Sequence, residues 1–183
     1  MWSAVEKVRQ RLRRATEVLE KAGIPYAVVG GNAVAAWVGE VDEAATRNTP
    51  DVEILLRRAD LERAKEPFAA AGFLYRHSSG IDMFLDGPGA KARDAVHILF
   101  AGERVRPEYA LAAPDVDYSA AKASFRVVNL DALVRIELTA FLTKNRLHLR
   151  DLIDVGLVDA SWLERLPPDL GIRLQHLFDT PDG

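Results

Sequence analysis

The part of the sequence that most constrains the fold is the glycine pair Gly30-Gly31, which lies between a short apolar segment and an apolar run of helical character. Residues 26–30, "YAVVG", predict a buried strand, and residues 33–38, "AVAAWV", predict the helix that follows it. A strand that ends in glycine and enters a helix brings free backbone N–H groups and a helix N-terminus to one point. The pattern predicts an anion-binding turn suited to phosphate, although a glycine pair is also simply a turn with permissive dihedral angles.

The second informative feature is an acidic strand that follows about twenty residues later. Residues 51–56, "DVEILL", predict a strand, and its alternation puts the side chains of Asp51 and Glu53 on one face. Two adjacent carboxylates repel each other unless a cation lies between them, and Mg²⁺ is typically held by one or two carboxylates together with phosphate and water. The pair therefore predicts a divalent metal site. The alternative is an edge strand whose carboxylates are solvated or paired with Arg57 or Arg58.

The rest of the chain predicts helices and strands in mixed order. The opening helix ends at Gly23, and the segment from 102 to 122 is predicted to be mostly irregular. Further strands are predicted at 73–77, 81–86, 95–101 and 124–128, and further helices near 60–72, 129–142, 145–159 and 167–180. The fold class is therefore α+β: a small mixed β-sheet flanked by helices, with a helical C-terminal part. We expect one domain over residues 1–183, with the sheet core at about 24–128 and the C-terminal helices at about 129–180.

Composition narrows the class of protein. Apolar residues make up 49% of the 183, which is typical of a globular chain. The net charge of −3 indicates no strong overall attraction to nucleic acid or to an anionic membrane. There is no cysteine, which excludes disulfides and thiolate metal sites, and no apolar run approaches the length of a membrane span. We expect a soluble cytoplasmic protein.

Taken together, the pattern "GGNAV…R-x-T-x-D-x-E" resembles the nucleotidyltransferase superfamily. It is most similar to the small bacterial AbiEii-like and minimal nucleotidyltransferases, which commonly show a "GG-x-A" turn, an "R-x-T-x-D-x-D" strand and a late helix with basic residues before an aspartate. The resemblance covers roughly residues 24–158. The matching positions here are Gly30, Gly31 and Asn32 in the turn, Arg47, Thr49, Asp51 and Glu53 in the strand segment, and Lys144, Arg150 and Asp151 in the late helix.

The resemblance implies a metal-dependent nucleotidyltransferase, which moves a nucleoside monophosphate from an NTP to a hydroxyl of a protein, an RNA or a small molecule. Mg²⁺ or Mn²⁺ would be held by Asp51, Glu53 and a third carboxylate, and the turn would lie against the phosphates. Cofactor-binding candidates are Gly30, Gly31, Asn32, Arg47, Thr49, Lys144 and Arg150. The alternative is a catalytically silent protein of the same fold that binds a nucleotide or a protein partner, for example in a toxin–antitoxin pair.

Three departures from the family pattern bear on activity. The second acid is Glu53 where aspartate is usual, and the position of the third acid is occupied by His97, so the candidate catalytic and metal set is Asp51, Glu53 and His97. Imidazole suits other metals better than Mg²⁺, and a lone histidine on a strand is also commonly a partly buried residue with one hydrogen bond. Asp82 and Asp94 are nearby acids outside the matching register. Glu137 lies on a helix where related sequences tend to carry a cation.

Overall fold

The computed structural model of the chain describes residues 3–122 and 124–182. Within them lie six α-helices: α1 (Ala4–Ala22), α2 (Gly30–Val41), α3 (Leu61–Ala70), α4 (Leu130–Ala140), α5 (Thr143–Asp154) and α6 (Pro168–Asp179). There are seven strands: β1 (Tyr26–Val29), β2 (Val52–Leu56), β3 (Leu74–Ser78), β4 (Ile81–Leu85), β5 (Ala95–Phe100), β6 (Ser119–Lys122) and β7 (Phe125–Val128). The predicted α+β class is confirmed.

The strands form one mixed sheet in the order β3-β4-β5-β2-β1-β7-β6. β2 is parallel to β5 and β1 is parallel to β7, whereas the pairs β1–β2, β3–β4, β4–β5 and β6–β7 are antiparallel. The strands β1 and β2 therefore occupy the centre of the sheet, and the acidic strand is directly bonded to the strand that enters the glycine turn.

Local sequence explains how the first elements begin and end. A capping box formed by Ser3 and Glu6 opens α1, and Gly23 closes it in the left-handed conformation, with φ of 63°. The helix α2 follows β1 without a loop because Gly30 takes φ of 67°, a value that other residues rarely adopt. The first residue of the glycine pair thus makes the sharp change of direction from strand to helix.

The register of the strands decides which side chains share a face. Glu53 lies opposite Val29 on β1 and opposite His97 on β5, so these residues point to the same side of the sheet. Ile54 points to the other side, which is covered in part by α3, whose Phe68 stacks on Phe84 of β4 with ring centroids 4.0 Å apart. The acidic strand therefore separates an apolar face from a face that carries polar groups.

The C-terminal helices are packed into the same hydrophobic core as the sheet. Leu133 and Leu138 of α4, Leu149 and Leu152 of α5 and Leu174 of α6 are all fully buried in the cluster that includes the central strands. The helix α2 contacts both α4 and α5. Consequently the late helix is held close to the glycine turn. Among the described residues, no helix is long and apolar enough to cross a membrane.

The sequence predicted six strands, and the structure adds a seventh. The strand β6 lies in the segment predicted to be mostly irregular, and its sequence, Ser-Ala-Ala-Lys, has neither alternation nor β-branched residues. Its conformation comes from pairing with β7 at the edge of the sheet. A 3₁₀ segment at Ala160–Arg165 was also not predicted, and α2 begins at Gly30 rather than after the glycine pair.

Candidate active site

The glycine turn and the acidic strand are in direct contact. A Cβ placed on Gly30 would lie only 2.9 Å from Cδ of Glu53 and would overlap one carboxylate oxygen. A Cβ placed on Gly31 would lie 2.8 Å from Cβ of Thr49. Gly31 is therefore required by its close approach to Thr49, whereas Gly30 is favoured by its positive φ and a side chain there would also displace the carboxylate of Glu53.

Two hydrogen bonds hold Asp51, the residue before the strand, one from the turn and one from the segment that leads into the strand. The amide of Asn32 donates to the backbone carbonyl of Asp51 over 2.8 Å, and the hydroxyl of Thr49 accepts from the backbone N–H of Asp51 over 3.3 Å. Asn32 and Thr49, both predicted cofactor contacts, thus position Asp51. This side chain stays about one-third exposed and faces the same region as Glu53.

A lysine from the late helix lies between the two carboxylates. Nζ of Lys144 is 3.7 Å from Oδ2 of Asp51 and 3.4 Å from Oε1 of Glu53. Burial would lower the pKa of the Lys144 ammonium, but the charges of Glu53 and Asp51 and the hydrogen bond to Glu53 outweigh it and raise the pKa. Lys144 therefore provides the cation that the adjacent carboxylates need.

Glu137, the unexpected acid on α4, is also paired. It is only 1% exposed, and its Oε2 accepts hydrogen bonds from Nδ2 of Asn145 at 2.8 Å and from Nδ1 of His148 at 3.0 Å. Burial would lower the pKa of His148, but the hydrogen bond to Glu137 and its charge outweigh that effect and raise the pKa. Sequence reasoning did not identify Asn145 and His148 as partners of Glu137. The signal was Glu137 itself, because a buried carboxylate in this position requires partners.

His97 lies beside Glu53 on the neighbouring strand. Its Nε2 is 2.8 Å from the backbone carbonyl of Ala92, so this nitrogen carries the proton and donates it. In residues 3–122 and 124–182, no group of three or more His, Asp or Glu side chains is arranged to hold a metal ion. The described residues therefore do not bring Asp51, Glu53 and His97, the predicted metal set, together around one metal position.

Neither of the two substitute acids joins Asp51 and Glu53. Asp82 is opposite Ile98 in the sheet and so belongs to the other face, and its Oδ1 contacts Tyr75 Oη at 2.5 Å and His77 Nδ1 at 3.1 Å. The other substitute, Asp94, is 3.5 Å from Arg11 at the end of the sheet where β5 begins. A third carboxylate next to the acid pair, which the resemblance implied, is therefore missing from the described residues.

The remaining predicted cations have structural partners. Arg47 forms a two-pronged ion pair with Asp151, at 3.0 Å from Nε and 2.8 Å from Nη2, and this pair ties the segment before β2 to α5. The pKa of Arg47 is raised by that hydrogen bond and by the charge of Asp151. Arg150 instead contacts the end of α6, where it donates to the carbonyls of Leu177 and Thr180. The structure does not bring Arg150 to the acid pair.

Glu53 of the acid pair opens onto a cleft of about 790 Å³. One end is bordered by Gly30, Glu53, His97 and Lys144, and the rest runs between α4 and the segment that connects β5 to β6. A volume of this size lies within the range that small-molecule and cofactor sites occupy. The cleft therefore combines Gly30 of the turn, the carboxylate of Glu53 and the ammonium of Lys144 at one end with a larger, mainly apolar space beyond them.

Comparison with known proteins gives the fold a name. The sequence matches no protein-family model and no curated protein. Solved structures do share the fold. The solution structure of the antibiotic-resistance factor ANT(2'')-Ia has a TM-score of 0.57 at 10% identity, over 96% of this chain and 91% of that one. Its crystal structure with adenylyl-2''-tobramycin has a TM-score of 0.57 at 13% identity, over 90% and 95% of the two chains.

A third similar structure is an antigenic nucleotidyltransferase-like protein from Paracoccidioides brasiliensis, with a TM-score of 0.57 at 14% identity, over 97% of this chain and 90% of that one. Similarity at these identities establishes the architecture and leaves the chemistry to be argued from the site. The chain has the fold of the nucleotidyltransferase superfamily.

Proposed function

We propose that the protein transfers a nucleoside monophosphate from an NTP to a hydroxyl group. The observation that carries this proposal is the contact between Gly30 and Glu53 under the ammonium of Lys144. A turn of backbone suited to phosphate, a pair of carboxylates and a lysine thereby meet at one end of one cleft. Each of these groups has a separate use on a triphosphate, and the fold brings them within contact distance.

The acid pair fits a divalent cation. Asp51 and Glu53 lie next to each other and share the ammonium of Lys144, so a divalent cation would take the place of that ammonium between the two carboxylates. Two carboxylates with phosphate and water satisfy Mg²⁺ or Mn²⁺. When bound, the ion would polarise a phosphoryl oxygen. A preference for Mn²⁺ over Mg²⁺ would indicate that Nδ1 of His97 is an additional ligand.

The chain's own groups would orient the reactants. The backbone of the turn at Gly30 and Gly31 would contact the phosphates, and Lys144 would exchange one of its carboxylate contacts for a phosphate oxygen. The acceptor oxygen forms a bond to the α-phosphorus as the bond to the pyrophosphate oxygen breaks. Pyrophosphate leaves, and the hydroxyl proton passes to water. The acceptor belongs to a protein, an RNA or a small molecule; ANT(2'')-Ia, solved with adenylyl-2''-tobramycin, is a neighbour in fold with a small molecule that carries an adenylyl group.

Transfer of label from α-phosphate-labelled NTPs tests the proposal. We expect wild type with Mg²⁺ or Mn²⁺ to label an acceptor in a cell extract, and Asp51→Asn to lower labelling about 100- to 1,000-fold. Asp117→Asn removes an exposed carboxylate that pairs with Arg57 and serves as the matched control. Equal labelling by wild type and Asp51→Asn would contradict the proposal.

One observation favours a second candidate function. Because no third acid lies beside Asp51 and Glu53 among the described residues, the site suits a protein that binds a nucleotide without transferring it, or that acts through a protein partner as in a toxin–antitoxin pair. Calorimetry with ATP and GTP separates the candidates. Metal-dependent binding with no transfer to any acceptor supports the silent protein, and equal binding in the presence of a chelator excludes the acid pair as a metal site.

A further inference from the structure

The wall of the cleft opposite α4 is an irregular loop, residues 103–113, which we call the wall loop. Its ends are joined by backbone hydrogen bonds: the N–H of Gly102 donates to the carbonyl of Ala113 over 2.9 Å, and the N–H of Ala113 donates to the carbonyl of Glu103 over 2.8 Å. Most residues of the loop border the cleft; they are Glu103, Arg104, Val105, Arg106, Tyr109, Leu111, Ala112 and Ala113. The wall loop is therefore closed at its base and presents its side chains to the cleft.

The base of the wall loop is held by the strand that leads from the acid pair. The acid pair lies at the start of β2, and the two arginines that follow the end of this strand contact the loop and its neighbour. Nε of Arg58 is 2.9 Å from Oε2 of Glu103, and Arg57 forms a two-pronged ion pair with Asp115 at 2.9 and 2.7 Å. One strand thus positions both the acid pair and the wall loop, so the two ends of the cleft are structurally connected.

Two cations of the wall loop have no carboxylate partner. Arg104 and Arg106 are exposed and line the cleft, and neither side chain forms an ion pair or a hydrogen bond with any residue in 3–122 or 124–182. The guanidinium of Arg106 lies 5.8 Å from the ring centroid of Tyr109, which leaves its N–H donors available. Both arginines can therefore be reached by a molecule that enters the cleft.

The carboxylates that border the cleft, in contrast, all have partners within the protein. They are Glu53 with Lys144, Asp82 with Tyr75 and His77, Glu103 with Arg58, Asp131 with Arg135, and Glu137 with Asn145 and His148. The wall loop therefore gives the cleft two positive charges that no carboxylate of the described residues pairs with, in a protein whose net charge is −3. This local excess of positive charge favours an anionic group.

We infer that Arg104 and Arg106 form an anion subsite for the acceptor, and that the acceptor is a hydroxyl compound that carries a phosphate group; the inference rests on the proposed nucleotidyl transfer. A phosphate has up to two negative charges and three acceptor oxygens, which match two guanidinium groups. Strand β5 carries the chain about 10 Å from His97 to Phe100 before the wall loop begins, so the loop starts away from the triphosphate end. The hydroxyl of an acceptor held by the arginines would extend along the cleft toward the acid pair.

Calorimetry with probes that carry hydroxyl groups and differ in charge tests the inference. The protein is first saturated with α,β-methylene ATP and Mg²⁺, and is then titrated with glucose, glucosamine, glucose 6-phosphate and a short 5′-phosphorylated RNA. We expect a phosphate-bearing probe to bind at least about 5-fold more tightly than glucose and glucosamine, and to bind less tightly at high salt. Tighter binding of glucose 6-phosphate or of RNA identifies the source of the phosphate as a small molecule or an RNA.

Substitution of the arginines provides the second arm of the experiment. Arg104→Gln combined with Arg106→Gln removes two charges at exposed positions, so the melting temperature should not change. We expect this double variant to bind the phosphate-bearing probe about 5- to 10-fold more weakly than wild type does, and α,β-methylene ATP equally well. Arg76→Gln removes an exposed arginine of β3 outside the cleft; it is the matched control and should change neither affinity.

Three results would overturn the anion subsite: no binding of either phosphate-bearing probe, equal binding of glucose or glucosamine, or wild-type affinity for the probe in the double variant. If the double variant instead loses affinity for α,β-methylene ATP, the arginines belong to the triphosphate site and the inference is wrong. In each of these cases the proposed function stands as long as wild type binds α,β-methylene ATP with metal. If wild type does not bind this nucleotide, the proposed function fails and the inference fails with it.

Discussion

The carboxylate of Glu53 rests on the backbone of Gly30, in the space where any other residue would carry its Cβ. The same glycine has a positive φ, so both its conformation and its surroundings exclude a side chain. This contact holds the carboxylate of Glu53 against the turn. A change in the backbone of the turn is therefore expected to move the carboxylate.

Substitution of Gly30 by alanine should therefore do more than strain the backbone. We expect Gly30→Ala to lower the free energy of unfolding by about 1–3 kcal/mol and to displace Glu53 from Lys144. Gly23→Ala is the control: its φ is 63° with no atom within 4 Å of the added Cβ, so it carries the backbone strain alone. Chemical denaturation of both, and of Gly30→Ala combined with Glu53→Ala, measures the contact. If the second substitution recovers no stability, overlap with Glu53 is not the cause.

Removal of Lys144 should expose the repulsion between Asp51 and Glu53. Because the three groups are partly exposed, we expect Lys144→Met to lower the free energy of unfolding by only about 0.5–1 kcal/mol in metal-free buffer, and less at high salt. A divalent ion can then take the place of the ammonium, so the rise in melting temperature on adding Mg²⁺ should exceed that of wild type. Lys65→Met, which breaks a surface pair with Glu62, should show no such difference. An equal metal response in Lys144→Met and wild type would contradict the bridging role.

The buried pair of Glu137 and His148 should make stability depend on pH. The pKa of His148 is raised in the folded protein, so the stabilisation from this pair is complete below the unfolded pKa of about 6.5 and is lost as pH rises through the folded value. We expect His148→Gln to cost about 1–3 kcal/mol at pH 5.5–6 and distinctly less at pH 9. Denaturation of wild type and variant at both pH values measures this difference, with His176→Gln on α6 as the control. A cost that is independent of pH would show that His148 is not charged in the pair.

The length of the second acid offers a test of activity. If Glu53 is a weakened form of the usual aspartate, Glu53→Asp should raise nucleotidyl transfer, or at least not lower it, because it moves the carboxylate by one methylene toward the usual ligand position. In the structure, the shorter side chain of Glu53→Asp would also lose the contacts of the carboxylate with Gly30 and Lys144. Label transfer by Glu53→Asp and Glu53→Gln should be compared. Loss of transfer in both would show that the chain has adapted to glutamate.

Much of the fold was predictable because its signals are local. Gly23 ended α1, Gly30 turned β1 into α2, and alternation in "DVEILL" placed both acids on one face. The strand β6 was not predictable, because a Ser-Ala-Ala-Lys segment becomes a strand only through its neighbour β7. The resemblance located the late helix, which the fold then placed next to the turn.

The partners of the site's charged groups could not be predicted from the local sequence. Lys144 contacts an acid 91 residues earlier in the chain, and Arg47 contacts one 104 residues later. From residue type alone, Lys144 and Arg47 were equally good candidates for binding phosphate. The packing of α2 against α5 determines that Arg47 pairs with Asp151 and that Lys144 contacts Asp51 and Glu53.

The reach of Lys144 across 91 residues also has an evolutionary consequence. The acids are encoded in the first third of the chain, and their counter-ion is encoded in the last third. Recombination that exchanged the C-terminal helices would exchange that counter-ion with them, and would leave the inherited carboxylates to meet a new and unselected charge. We therefore expect the two parts of the gene to be inherited together, because neither part alone encodes both the carboxylates and their counter-ion.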